Sequence, residues 1–190
     1  MNRDIIEHDF TMTVLANDIV TVTDPCYDED TWCILRTALP PGEYGFAVEV
    51  ADYGAWGDLV CRNFMFRKGK VKAWQLDTTV YFRREYLGEV GVDAGLCGYF
   101  IDKPDFSDPQ WMEFCEALRG LRDEHAAYAL PEFANGFFSD TGHGDGGYDV
   151  YLLTDRETGE PVGLSTVFIC DDEDEEEDED YEDEEDEEED

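Results

Sequence analysis

Apolar runs typical of β-strands recur along this chain, separated by polar turns, and the two-residue period of a half-buried strand is visible in them. Residues 43–51 are the clearest example, and residues 11–23 are rich in β-branched side chains on both sides of Asn17-Asp18, which predicts a strand or hairpin. Further strands are predicted at 58–66, 70–82, 86–93, 97–102, 133–139, 147–154 and 162–169. We expect 58–66 and 70–82 to flank a turn at Lys68-Gly69-Lys70, and 86–93 to pair with 97–102 across Ala94-Gly95.

Only residues 108–125 show helical periodicity, with Ser107 or Asp108 as the expected N-cap. The residues at three- and four-residue spacing are Trp111, Met112, Cys115, Leu118 and Leu121. Because the long helical crossovers that parallel pairing requires are absent, the pattern predicts an α+β fold. We expect it to be mostly antiparallel β-structure, sandwich-like or a meander, with one amphipathic helix. Residues 1–170 suit a single β-rich domain.

Negative charge is concentrated in one stretch of the chain, which we do not expect to belong to the β-rich domain. The 190-residue chain has a formal charge of −36, and residues 171–190 contribute 19 acids and Tyr181. Those residues cannot bury an apolar face, so we predict a disordered polyacidic tail, either solubilising or attractive to a basic protein. The remainder has 30 acids and 13 Lys and Arg, a net charge of −17, which disfavours nucleic acid and anionic membranes as partners.

Six cysteines without a CxxC pair, no apolar stretch of signal-peptide length and no membrane-spanning run predict a reduced, cytoplasmic protein.

Candidate chemistry lies in two pairs of Asp/Gly motifs at strand ends, repeated in the same order. Asp24-Pro25-Cys26-Tyr27 precedes residues 52–58, and Asp93-Ala94-Gly95 precedes residues 140–148. This order suggests an internal duplication of residues 11–85 and 86–169. The second loop carries four glycines in residues 142–147, which are costly to order unless the backbone needs them.

Carboxylates and an imidazole on such loops could bind a hard cation, calcium or magnesium, while bare N–H groups could bind a small polar ligand. The predicted ligand-binding residues are Asp24, Trp56, Asp93, Gly144, Asp145 and Gly146. The predicted metal ligands are Asp24, Asp58, Asp93, Asp140, His143 and Asp145. A turn with solvated side chains explains the glycine-rich loop equally well, and Trp56 is either a stacking platform or a lid on the core.

No nucleophile elbow, Walker loop, dinucleotide fingerprint or zinc-ligand spacing is present. Catalysis is therefore not indicated by any signature in the sequence.

The motifs together resemble an uncharacterised family of bacterial and bacteriophage proteins. Its pattern combines DPCY, a WG loop, VD(A/S)G and G-(Y/H)-GDG-x-Y, which correspond here to residues 24–27, 56–57, 92–95 and 142–148. His143 replaces an expected aromatic residue, and residues 171–190 are additional. The resemblance implies a bacterial or phage cytosolic setting and carries no known activity.

These observations favour a non-enzymatic binding domain whose Asp/Gly loops converge at one rim. An acidic protein that inhibits or sequesters a basic host partner is the alternative, and a metal-assisted phosphoesterase is the third hypothesis.

Overall fold

The computed structural model describes residues 3–76, 79–121 and 127–170. The predicted disordered tail at 171–190 lies outside the described residues, as do residues 122–126 of the predicted helix. In chain order the strands are β1 (Arg3–Val14), β2 (Val20–Thr23), β3 (Leu35–Thr37), β4 (Gly42–Asp52), β5 (Asp58–Arg67), β6 (Phe82–Val92), β7 (Leu96–Asp102), β8 (Ala127–Tyr128), β9 (Asn135–Asp140), β10 (Gly146–Asp155) and β11 (Pro161–Val167). The helix α1 (Trp111–Leu121) lies between β7 and β8.

The strands form two antiparallel sheets, which confirms the predicted fold class. One sheet has the order β1-β4-β5-β11-β10-β6 and the other β3-β2-β7-β9-β8. Aromatic side chains from both sheets meet between them, since Phe46 of β4 stacks on Phe137 of β9 with ring centroids 4.6 Å apart. The arrangement is a β-sandwich with its main core between the sheets.

Helix α1 covers the outer face of the five-stranded sheet. Its buried residues are Phe114 and Leu118, and Trp111 and Leu121 pack beside them at three- and four-residue spacing. The buried face of the helix differs from the predicted one. Met112, which the prediction includes, is 72% exposed, and Phe114, which it omits, is buried. The helix begins at Trp111, and in the turn before it Asp108 Oδ1 accepts a hydrogen bond from the Gln110 N–H at 2.8 Å.

Two predicted strand arrangements are wrong. The described residues of 70–82 form no long strand after β5: they pack on the outer face of the six-stranded sheet and include a short 3-10 turn at Ala73–Gln75. Their buried apolar residues, Val71, Leu76 and Phe82, are five and six positions apart, which does not match a strand. Strands β6 and β7 also do not pair, because β6 pairs with β10 in one sheet and β7 with β2 and β9 in the other.

Candidate functional site

All four Asp/Gly motifs lie at the same end of the sandwich, here called the loop end. The strand register establishes this, because each motif follows or precedes a strand terminus that is paired there. The cross-strand pairs nearest the loop end are Thr23 with Gly98, Asp52 with Asp58, Val92 with Gly146, and Leu96 with Asp140. Antiparallel pairing therefore brings together segments that are up to about 120 residues apart in the sequence.

Two of the motifs form neighbouring links between the sheets. Residues 93–95 connect β6 to β7, and residues 141–145 connect β9 to β10. Because β6 pairs with β10 and β7 pairs with β9, both links cross the gap between the sheets side by side. By contrast, residues 53–57 join β4 to β5 as a hairpin within one sheet. The loop at 53–57 and its counterpart at 141–145 in the proposed repeat are therefore different kinds of connection. The internal duplication stays a prediction.

Asp24 is a structural residue rather than an accessible ligand. Its side chain is fully buried. Oδ2 accepts hydrogen bonds from the backbone N–H groups of Asp93 at 2.9 Å and Ala94 at 2.6 Å, and Oδ1 accepts one from Cys26 at 2.8 Å. One carboxylate therefore ties the end of β2 to the link between β6 and β7.

Burial raises the pKa of the Asp24 carboxyl above its ordinary value, and the hydrogen bonds from Ala94, Cys26 and Asp93 oppose that shift. Nearby, burial also raises the pKa of the Tyr27 hydroxyl, with a further contribution from its hydrogen bond to Asp93. The Asp93 carboxylate itself is exposed. This motif consequently presents one carboxylate to solvent and holds another in the core.

The glycine-rich loop is built around the Tyr148 hydroxyl. That hydroxyl lies 2.6 Å from the carbonyl oxygen of Gly144, to which it donates, and 3.1 Å from that of Thr141. The Thr141 hydroxyl also donates to the Gly144 carbonyl at 2.6 Å. Gly142 has a φ of +62°, and a Cβ there would lie 2.8 Å from the Val60 carbonyl oxygen. The glycine is therefore required by backbone conformation and by packing.

The hairpin loop 53–57 displays a tryptophan. Asp52 Oδ1 accepts a hydrogen bond from the Gly54 N–H at 2.7 Å, and Gly54 and Gly57 have φ values of +65° and +76°. Trp56 at its tip is 78% exposed, which excludes a role as a lid on the core. The Tyr53 and His143 rings meet edge to face with centroids 6.0 Å apart, so the two loops touch.

The predicted metal ligands do not surround one point. The Asp24 carboxylate is directed inward, and Asp140 Oδ2 accepts a hydrogen bond from the Tyr128 hydroxyl at 3.4 Å. The exposed members are Asp58, Asp93, His143 and Asp145. Within the part of the chain that the structure describes, no three His, Cys, Asp or Glu side chains lie close enough to hold a metal ion. The prediction of one common cation site is not supported by this arrangement.

Negative charge nevertheless dominates the loop end. Residues 52–58, 93–95 and 140–147 contain five acids and no Lys or Arg. Asp52 lies directly opposite Asp58, and Glu89 lies opposite Asp149 on the neighbouring strands β6 and β10. Like charges in such cross-strand positions destabilise a sheet by about 0.2–1 kcal/mol. The fold retains these pairs despite their cost.

Behind the loop end lies a buried polar network that the sequence did not reveal. The Asn63 side chain donates to the Ser139 hydroxyl and the Cys97 carbonyl, both at 3.0 Å, and Tyr99 donates to Asn63 Oδ1 at 2.7 Å. The Tyr99 hydroxyl also lies 2.9 Å from Thr166 Oγ1. Asn63 interrupts an apolar strand, which was the one available signal. The network fixes how the two sheets face each other.

Comparison with protein-family models, curated proteins and solved structures finds no match. None of the helices among the described residues has the length and apolar character needed to cross a membrane. All six cysteines are free thiols.

Proposed function

We propose that this protein is a non-enzymatic binding module whose loop end contacts a basic protein partner. The convergence of the four motifs at that end carries the proposal. It places the exposed Trp56 next to the cross-strand acids Asp52 and Asp58, at the same end as Asp93 and Asp145. An exposed aromatic ring beside carboxylates suits Lys and Arg side chains, which pair with the acids and stack on the ring.

The charge of the whole chain supports the same partner class. A strongly acidic surface accelerates encounter with a basic protein and repels phosphate backbones. Residues 171–190 add to that attraction over a longer range.

The sequence also predicts a cation or small polar ligand at the loop end, with calcium or magnesium as the ion. Its predicted ligands are dispersed, so we expect neither ion to raise the melting temperature. A rise that Asp145→Ala abolishes would instead favour cation binding. A metal-assisted phosphoesterase would need the same gathered ligands and, in addition, a positive group for phosphate, and the motif loops contain no Lys or Arg.

We propose a bacterial or phage-infected cell, and its cytoplasm, as the setting. The motif resemblance and the free thiols support this.

Affinity capture from bacterial lysate, followed by binding of the purified partner, tests the function. We expect a partner with a basic surface, whose binding weakens with salt and falls at least tenfold in the triple variant Trp56→Ala/Asp58→Asn/Asp145→Asn. Trp32→Ala is the matched control, because Trp32 is 92% exposed and lies outside the motif loops. Unchanged binding in the triple variant, or equal loss in the control, would refute the proposal.

A further inference from the structure

The positive charges of this acidic protein are concentrated in one segment. Residues 67–84, here called the basic segment, contain six of the 13 Lys and Arg and a single acid, Asp77. Arg156 joins them, because its Nε donates to the carbonyl oxygens of Thr79 at 2.7 Å and Phe82 at 3.1 Å. Seven cations therefore lie on or beside one stretch of backbone.

The basic segment is fixed to the sandwich by its apolar residues and exposes three of its six cations, whereas Arg67, Lys68 and Arg84 are half-buried. Val71, Leu76 and Phe82 are buried against the outer face of the six-stranded sheet. Lys70, Lys72, Arg83 and Arg156 are exposed. These four exposed cations, Lys70, Lys72, Arg83 and Arg156, are here called the ridge, and the buried apolar residues hold it against the sheet.

Two aromatic rings lie along this ridge. Trp74 is 59% exposed and Tyr81 38% exposed, and their rings meet edge to face with centroids 5.6 Å apart. Such exposure of rings among cations is typical of surfaces that bind single-stranded nucleic acid, which is one kind of extended anionic chain.

The ridge's cations are only partly neutralised by the sandwich. Lys70 Nζ lies 3.4 Å from Glu160 Oε2, and both side chains are half exposed, so this ion pair is weak. Lys72 and Arg83 form no ion pair with any residue in the ranges that the structure describes.

We propose that residues 171–190 of the same chain bind this ridge. Charge complementarity is the first argument, since that segment has 19 acids and no Lys or Arg, and its one aromatic residue is Tyr181. Reach is the second. The segment begins after Cys170, and the preceding Ile169 N–H bonds to the Cys61 carbonyl on β5 at 3.1 Å.

Strand β5 then leads from Cys61 to Arg67, where the basic segment starts. Six residues of strand span about 20 Å, whereas 20 extended residues span up to about 70 Å. The acidic segment can therefore cover the whole ridge from its point of attachment. Tethering also gives it an effective concentration in the millimolar range, which suffices for weak electrostatic contacts.

A contact of this kind shields the ridge from other anionic chains, nucleic acid above all. It does not depend on partner binding at the loop end.

Amide and indole NMR spectra of full-length proteins test the proposal. A variant in which the 19 acids of 171–190 are replaced by Asn and Gln keeps the chain length. We expect it to shift the Trp74 indole signal and the amides of the basic segment relative to wild type at 20 mM salt. These differences should be lost at 0.5 M salt, because the Debye length falls to a few Å.

Variants of the ridge supply the control. In the triple variant Lys70→Gln/Lys72→Gln/Arg83→Gln, replacing the acids of 171–190 should no longer shift the Trp74 indole signal. In the control variant Arg36→Gln/Arg119→Gln, the same replacement should shift that signal as it does in wild type. A single-stranded oligonucleotide should bind the ridge more tightly once 171–190 is neutralised.

Three results would overturn the proposal. The first is that the Trp74 indole signal and the amide signals of the basic segment do not change when the acids of 171–190 are replaced. The second is a spectrum that changes with protein dilution, which would indicate contact between copies. The third is equal oligonucleotide affinity in both backgrounds, which would leave the ridge open to nucleic acid.

Discussion

Removing the Asp24 carboxylate should destabilise the fold strongly, although no ligand is lost. Asp24→Ala leaves three backbone N–H groups, those of Cys26, Asp93 and Ala94, without their acceptor. A buried donor without a partner costs about 1–3 kcal/mol, and Cys26 is half-buried, so water can reach part of this site. We therefore expect a loss of about 3–5 kcal/mol.

Asp24→Asn is the informative companion. Its amide oxygen can still accept from one side, while its NH2 group faces an N–H donor on the other, so the expected loss is about 1–3 kcal/mol. Urea unfolding followed by circular dichroism measures both, with Asp145→Asn as the control for an exposed acid at the same end. A loss below about 1 kcal/mol in Asp24→Ala, equal to that of the control, would refute a structural role for this carboxylate.

The pH dependence of the stability difference between wild type and Asp24→Asn tests the direction of the Asp24 pKa shift. Because the folded-state pKa lies above the unfolded value near 3.8, the folded protein binds this proton more tightly. The resulting stability is fully present below the unfolded pKa and is lost as the pH rises through the folded pKa. The advantage of wild type over Asp24→Asn should be larger near pH 4 than at pH 7, and a smaller advantage near pH 4 would contradict the shift.

Three further substitutions test the packing around the site, each by urea unfolding. Glu49→Gln should cost about 3–5 kcal/mol, because this buried carboxylate contacts the buried Arg62 and the half-buried Arg3, whereas Glu160→Gln should cost under about 1 kcal/mol at an exposed pair. Equal losses in the two would argue against a buried ionic cluster. Tyr99→Phe should cost about 1–3 kcal/mol by removing the donor to a buried amide oxygen, and a neutral effect would contradict the network. Gly142→Ala should cost more than Gly159→Ala, because both have a positive φ but only the first has neighbours within 4 Å; similar losses would show that the crowding relaxes.

Much of the local structure could be predicted from the sequence. Apolar, strand-like runs located β4, β5, β9, β10 and β11 to within a few residues, and the run in β4 also shows the two-residue period. The helix was predicted from its 3.6-residue period, although its buried face was assigned without Phe114. The strands β3 and β8, of three and two residues, are too short to show a period.

The position of the motif loops was predicted in part. The sequence placed the Asp/Gly motifs at strand ends, and the structure brings these loops to one end of the sandwich. It could not indicate that Asp24 points inward while Asp93, only one hydrogen bond away, points outward. Burial depends on the neighbouring sheet, and no local pattern encodes it.

The sequence by itself determined most of the longer strands, several of the turns and how strongly negative the chain is, since these follow from side-chain chemistry at neighbouring positions. Only the tertiary structure decided which strands pair. It moved β6 and β7 into different sheets, brought four separate loops to one end and spread the predicted metal ligands apart. The physical reason is that strand pairing and sheet packing depend on contacts between residues distant in sequence, whose energies depend on the shape of the whole core.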